Sequence, residues 1–243
     1  MVQVKDASIV IPIYNEGERL EKSIQKLVEH VDMLKKDYEI ILSDDGSTDN
    51  SLETIKKLSK SNSRINYLHN KENLGRGNAL KKACKAIKGS KVIFMDADTP
   101  LVADLTVMNE MLGCLDSHDV VIASRFLPES KTKRKIHRGI MSKTYRFLVR
   151  LFFPALMVSD TDVGFKGFKK SVFVKINKHI KSNGWSWDLE FMLESRKRKY
   201  TIKEIPLMWC EEGKSSVNIL RDSFAQLFSI FTLKMKYGKY FNR

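Results

Sequence analysis

The feature that most limits the fold is an alternation in the first half: a short apolar run, a polar loop, then an amphipathic helical stretch. Ser8-Ile9-Val10-Ile11-Pro12-Ile13 runs into Tyr14-Asn15-Glu16, after which Leu20, Ile24, Leu27, Val28 and Val31 recur at helical spacing. Tyr38 to Ser43 stops at Asp44-Asp45-Gly46-Ser47-Thr48-Asp49, a turn whose last residues can cap a helix from about Ser51 to Leu58. Ile65 to His69 leads to Asn73-Leu74-Gly75-Arg76-Gly77-Asn78-Ala79 and a helix ending near Gly89. Val92 to Met95 breaks at Asp96-Ala97-Asp98-Thr99-Pro100, and Asp119 to Ala123 reads as a fifth strand. This order specifies an α/β fold, a mostly parallel sheet wrapped by helices, with the polar loops gathered along one edge.

The Asp96/Asp98 pair lies at that edge, because Pro100 forbids further ladder pairing. Ligands bind at the carboxyl ends of strands in such sheets, and two hard oxygen donors suit Mg²⁺ or Mn²⁺ bridging to phosphate. Any one of these loops is equally well explained as an Asp-rich or Gly-rich turn. Their recurrence in successive βα units is harder to explain that way, since it sets Glu16, Asp44, Asp45, Arg76, Asp96 and Asp98 near one another. A nucleoside diphosphate needs such a set: an acid for a base imino N–H, amides at a glycine turn for phosphate, and a metal for the pyrophosphate. Gly75 and Gly77 lack the third glycine of a dinucleotide fingerprint.

Composition narrows the partner. The 43 Lys and Arg against 29 Asp and Glu leave +14, which points to an anionic substrate or surface. Cys84, Cys114 and Cys210 are odd in number and lack CxxC spacing, so a reducing, cytoplasmic setting is expected. The start carries no signal-peptide pattern, and no apolar run approaches the ~20 residues of a spanning helix. The chain is expected to lie on a membrane rather than cross it.

The positive charge collects in the second half. After Ser124-Arg125-Phe126, the tract from Lys131 to Arg150 holds eight Lys and Arg and no acid. Within it Met141, Tyr145, Leu148 and Phe152 share a helical face opposite Lys143, Arg146 and Arg150. That pattern fits a helix at an anionic membrane surface, and equally one docked on its own domain with its charges solvated. The continuation Phe152-Phe153-Pro154-Ala155-Leu156-Met157 favours the membrane. Asp160 to Phe168 returns to a strand. Trp185-Ser186-Trp187-Asp188-Leu189-Glu190 opens a helix, whose dipole alone could account for Asp188. Lys203 to Trp209 reads as an edge strand. The flexible loop Glu211-Glu212-Gly213-Lys214-Ser215-Ser216 comes next. A final helix, about Ile219 to Lys236, carries Leu220, Phe224, Leu227, Phe228, Phe231 and Met235 on one face, with Lys234, Lys236 and Lys239 at its end.

The strand-end motifs of the first half resemble the nucleotide half of family 2 glycosyltransferases with the GT-A (Rossmann-like) fold. The resemblance implies that Pro12, Tyr14, Glu16 and Asp44 hold the nucleoside, with Asp98 the principal metal ligand and Asp96 its partner. Ser124-Arg125, Asp160 to Phe168, Trp187 to Glu190 and Gly213-Lys214-Ser215 extend the likeness to the dolichyl-phosphate glycosyltransferase branch. Within it the chain is more similar to β-glucosyltransferases. Asp-Ala-Asp-Thr-Pro replaces the mannosyl pattern DADLQHP, and Cys210 stands where the mannosyl loop usually has arginine. The expected organisation is one GT-A domain, 1–243: a nucleotide-binding half (1–123), an acceptor half (124–217), and a C-terminal amphipathic helix and tail (218–243). Relatives often add membrane anchors that this sequence is not expected to carry.

The resemblance implies inverting transfer of glucose from UDP-glucose to a polyprenyl (dolichyl) phosphate, by an enzyme attached peripherally to the cytoplasmic face of a membrane. A phosphate monoester, with a second pKa of ~6, is already largely dianionic and needs little help from a base. Arg125 and Arg138, with Lys133, Arg134 and Lys135, are the candidates for seating it. Asp188 is a candidate base or sugar-hydroxyl acceptor, and Lys214 a candidate for the donor phosphates. One alternative is mannosyl transfer from GDP-mannose. Another is a soluble enzyme acting on a glycan hydroxyl, for which Asp188 would be indispensable. A basic nucleic-acid binder fits poorly, because acid-rich loops repel phosphate backbones.

Overall fold

The computed structural model describes residues 5–133, 136–210 and 219–241; the side chains of 136–138 and 219–225 are not described. The five expected strands are β1 (Ala7–Ile13), β2 (Tyr38–Asp44), β3 (Ile65–His69), β4 (Lys91–Met95) and β5 (Val120–Ser124). Between them lie α1 (Arg19–Met33), α2 (Ser51–Ser61), α3 (Arg76–Ala83), the single turn α4 (Thr99–Val102) and α5 (Val107–Ser117). There follow β6 (Lys131–Lys133), α6 (Ile136–Phe152), β7 (Phe165–Lys169), α7 (Lys170–Asn177), α8 (Trp187–Lys197), β8 (Ile202–Pro206), β9 (Met208–Cys210) and α9 (Ile219–Phe241).

Seven strands form one sheet in the order β3-β2-β1-β4-β7-β5-β8, drawn from both halves of the sequence. Only β7 runs against its neighbours, pairing antiparallel with β4 and β5. Every residue of β1 and β2 is buried, as expected of parallel strands covered on both faces. On one face α5 lies against β7, where a Cβ on Gly167 would meet Met111 at 2.7 Å. On the other, Phe168 stacks against Phe173 of α7 and Phe191 of α8. A two-stranded ladder, β6-β9, stands apart.

The topology sends the ends of β1, β2, β4 and β5, and the start of β7, to one edge. Ile13 pairs with Asp44, and Met95 with Phe165. β2 and β4 are two strand spacings apart, ~10 Å, with β1 between them.

The outward stripe expected on α6 is corrected. Tyr145 is buried, Leu148 and Phe152 are partly covered, and the exposed apolar side chains are instead Ile140, Phe147 and Leu151. The reason is α9, which packs alongside: Phe152 meets the Phe231 ring edge-on at 5.2 Å, and Lys234 Nζ donates to the Phe152 carbonyl at 2.7 Å. On α9, Phe228, Phe231 and Met235 of the expected face remain exposed. Among the described residues no helix is long and apolar enough to cross a membrane.

Candidate active site

The site begins with two cross-braced loops. After β1, Asn15 takes a left-handed φ of 52° and accepts from the Thr48 amide at 2.8 Å, while the Glu16 amide donates to Ser51 Oγ at 2.9 Å. The Asp44–Ser47 turn thus rests against the β1 loop, beside buried Pro12 and half-exposed Tyr14. Gly46 has a φ of 75°, and a Cβ there would lie 2.5 Å from the Glu72 backbone. Asp45 is buried, accepting from Asn70 Nδ2, the Leu74 amide and the Gly75 amide. Its oxygens hold the glycine loop in place. Asp44 is buried beside it, within 2.7 Å of His69 Nδ1.

Arg76, at the start of α3, is the hub of a buried charge network. Its Nε donates to Asp96 Oδ1 at 2.9 Å and its Nη1 to Asp188 Oδ2, while the guanidinium lies over the Phe94 and Trp185 rings. Its buried Nη2 has no hydrogen-bond partner among the described residues. Burial works against the Arg76 charge, but Asp188 and Asp96 outweigh it and raise its pKa. The other oxygen of Asp188 accepts from Lys166, and both of those side chains are fully buried. Asp188 is thus held between two cations, Arg76 and Lys166.

Asp96 and Asp98 leave the end of β4 as expected. The Asp96 amide donates to the Gly164 carbonyl at 2.9 Å, and a Cβ on Gly164 would fall 1.7 Å from Asp96 Oδ2, so the carboxylate lies directly over that glycine. Asp98 stands at the N-terminus of α4. Glu16, partnered by Arg19 at 2.8 Å, is pushed up to about 7 by burial, with Asp98 and Asp96 adding to the rise against the lowering by Arg19. Glu16, Asp96 and Asp98 thus lie close enough to bear on one another, and two carboxylates at a strand end suit a divalent cation. No three His, Cys, Asp or Glu side chains converge as a complete cage among the described residues. Mg²⁺ and Mn²⁺ suit one or two carboxylates completed by water and substrate phosphate.

On the other side of β7, Arg125 follows β5 and is almost wholly buried. Its Nε and Nη2 each lie 2.8 Å from Asp160, whose Oδ2 also takes the Arg125 amide. Burial opposes the Arg125 charge, yet Asp160 raises its pKa overall. Two of its donors are therefore committed to Asp160. A small cavity of about 10 Å³ adjoins it, lined by Tyr145, Arg146, Asp160 and Asp162 among others. Asp162 accepts from Gln226 of α9 at 2.7 Å and is raised to about 6, by burial first and then by Asp188. The Lys214 loop, Arg134, Lys135 and the Arg138 side chain lie outside the described residues.

Sequence reasoning missed Lys166, Asp160 and Gln226. Lys166 lies between aromatic and glycine residues in the interior of β7, with Lys169 at the strand's end, and that interior charge is the cue available.

Residues 8–176 match Glycosyl transferase family 2, and the chain belongs to that family of glycosyltransferases. It is 31% identical over 89% of its length to Glycosyltransferase AglD of Haloferax volcanii, of which it spans only 35%. It is 28% identical over 95% of its length to the Saccharomyces cerevisiae dolichyl-phosphate beta-glucosyltransferase, covering 74% of that protein. The crystal structure of Mycobacterium tuberculosis glucosyl-3-phosphoglycerate synthase with Mn²⁺ and UDP-glucose superposes with a TM-score of 0.70 at 18% identity. The match covers 95% of this chain and 79% of that one, and establishes the shared GT-A fold.

Proposed function

We propose that this chain transfers glucose from UDP-glucose to the phosphate of a polyprenyl phosphate of the dolichyl type, with inversion at the anomeric carbon, at the cytoplasmic face of a membrane. The observation that carries it is the position of α6 and α9. These helices border the Arg125–Asp160–Asp162 cluster through Tyr145, Arg146 and Gln226, and present Phe147, Leu151, Phe228, Phe231 and Met235 to solvent. A ligand with a charged head and a hydrocarbon tail matches an ionic cluster bordered by an exposed apolar surface. The names of the yeast and other relatives supply the glucosyl donor and the dolichyl phosphate.

In this reading Asp44 accepts the base imino N–H, with Pro12, Tyr14 and Glu16 bordering the nucleoside. Asp98 and Asp96 hold Mn²⁺ or Mg²⁺, which when bound offsets charge on the departing diphosphate. Arg76 keeps Asp96 in place and offers Nη2 to a phosphate oxygen. Arg125, fixed by Asp160, presents Nη1 to the acceptor phosphate, with Arg138 and Lys214 as further candidates. An acceptor phosphate oxygen bonds to the sugar C1 as the bond from C1 to the UDP oxygen breaks. The dianionic nucleophile needs no proton acceptor, which agrees with the ion-paired state of Asp188.

The test is incubation with labelled UDP-glucose or GDP-mannose and Mn²⁺, with either polyprenyl phosphate in anionic vesicles or a water-soluble glycan as acceptor. Label passing to the lipid from UDP-glucose is the expected result. Label passing only from GDP-mannose, or only to a water-soluble glycan, overturns the reading.

A further inference from the structure

His69 closes β3 directly opposite Asp44 in the register of the sheet. Its Nδ1 lies 2.7 Å from Asp44 Oδ2; the Asp44 side chain is fully buried, whereas the His69 side chain keeps 36% of its exposure. A carboxylate only accepts, so Nδ1 carries the proton and donates. The other described group at Asp44 is the Ser47 amide, at 3.4 Å from each oxygen, too far for a strong bond. Oδ1 therefore has no short partner in a position where a buried carboxylate calls for one.

The backbone that carries His69 is also held. Lys82 of α3 donates to the His69 carbonyl and, at 2.7 Å, to Asn70 Oδ1, while Asn70 Nδ2 donates to Asp45 Oδ1 at 2.8 Å. The end of β3 is thus tied to the Asp44-Asp45 turn at two successive residues, His69 and Asn70. A donor on Oδ2 fixes the plane of the Asp44 carboxylate at the strand-end edge of the sheet.

We propose that His69 is a positioning residue for nucleobase recognition: through its bond to Oδ2 it sets Asp44 to accept an imino N–H. This rests on Asp44 being the base acceptor, as in the function proposed above. The pair selects bases that carry a ring N–H at that point, uracil or guanine, over cytosine, whose ring nitrogen there is an acceptor and would face the carboxylate lone pairs. The ligand class is a nucleoside diphosphate, and the selectivity comes from two adjacent strand ends.

The experiment is calorimetric titration with UDP, CDP and inorganic pyrophosphate in the presence of Mn²⁺, on the parent chain and on His69→Ala, His69→Asn and Asp44→Asn. His69→Ala is expected to weaken UDP about tenfold, the order of one charge-assisted hydrogen bond, to narrow the preference for UDP over CDP, and to leave pyrophosphate within about twofold. His69→Asn, with an amide donor near the Nδ1 position, is expected to recover most of the UDP affinity, and it keeps the test usable should the alanine variant fold poorly. Equal weakening of UDP and pyrophosphate by His69→Ala overturns the proposal, because the effect would then not be on the base. Parent-like UDP binding by His69→Ala with a weakened Asp44→Asn overturns the role of His69 alone. Parent-like binding by Asp44→Asn overturns the underlying assignment of Asp44 as well.

Discussion

Replacing Asp188 by asparagine separates a structural counter-ion from a proton acceptor. Asparagine keeps the shape of the side chain, but one of its two ends becomes an N–H₂ donor facing either Lys166 or Arg76. Lys166 is fully buried and its other hydrogen-bond partner is the Val163 carbonyl. Arg76 retains Asp96. Stranding one member of a buried ion pair costs about 3–5 kcal/mol. At roughly 2–4 °C per kcal/mol for a domain of this size, the melting temperature should fall on the order of 10 °C. Lys166→Met combined with Asp188→Asn removes the stranded charge and leaves the amide oxygen for Arg76, so it should regain more than half of that loss. Thermal unfolding followed by circular dichroism measures both, with kcat determined on the same preparations. An Asp188→Asn chain melting within about 2 °C of the parent, while kcat falls by ~10²–10⁴ as expected on losing a general base, would refute the counter-ion argument.

Asp98→Ala should abolish both transfer and Mn²⁺ binding by calorimetry, with the circular dichroism spectrum of the folded chain retained. Gly164→Ala puts a methyl where Asp96 Oδ2 now lies, and should lower kcat by ~10²-fold, the scale of a 1 Å misplacement; an unchanged kcat would contradict the placement of Asp96. Glu16 holds its proton up to about pH 7 in the folded chain against 4.5 unfolded, so the native state binds more protons between those values and stability should fall by about 2–3 kcal/mol as pH rises through that window. Glu16→Gln should flatten that slope in denaturant unfolding at pH 5 and pH 8. Replacing exposed Phe228 and Phe231 together by aspartate should reduce sedimentation with anionic vesicles by at least ~100-fold, each phenylalanine contributing about 1.5–3 kcal/mol when buried, with the fold retained.

The sheet and its loaded edge were legible because β1, β2 and β4 are largely apolar runs that give way to Asn or Asp at the same end. The position of β7 was not. Nothing local in Phe165-Lys166-Gly167-Phe168-Lys169 specifies antiparallel insertion between β4 and β5, which depends on the long α6 excursion returning to the sheet. Asp45 and Arg125 were legible as charged loop residues, yet not as groups whose partners would be Gly75 and Asp160. Those partners are distant in sequence, and the pairing is set by packing. On α6 the helical period was read correctly while the covered face was not, because periodicity finds an apolar stripe and only the neighbouring α9 decides which part of it is buried.

One segment joins the two halves of the site. Ser159 and Asp160 donate through their amides to Glu204 of β8, Asp160 grips Arg125, Asp162 takes Gln226 from α9, and the Gly164 carbonyl receives both the Asp96 amide and Thr99 Oγ1. The residues bordering the exposed helices and those fixing the Asp96 carboxylate are thus at most five positions apart on one hydrogen-bonded strip. The antiparallel direction of β7 makes this possible: a parallel strand there would deliver its end, not its beginning, to the edge, and the strip would need a separate crossover. Substitutions on the Arg125 side therefore act on donor geometry as well. Arg125→Ala, which strands a buried Asp160, is a change to the whole strip rather than a selective loss of acceptor affinity.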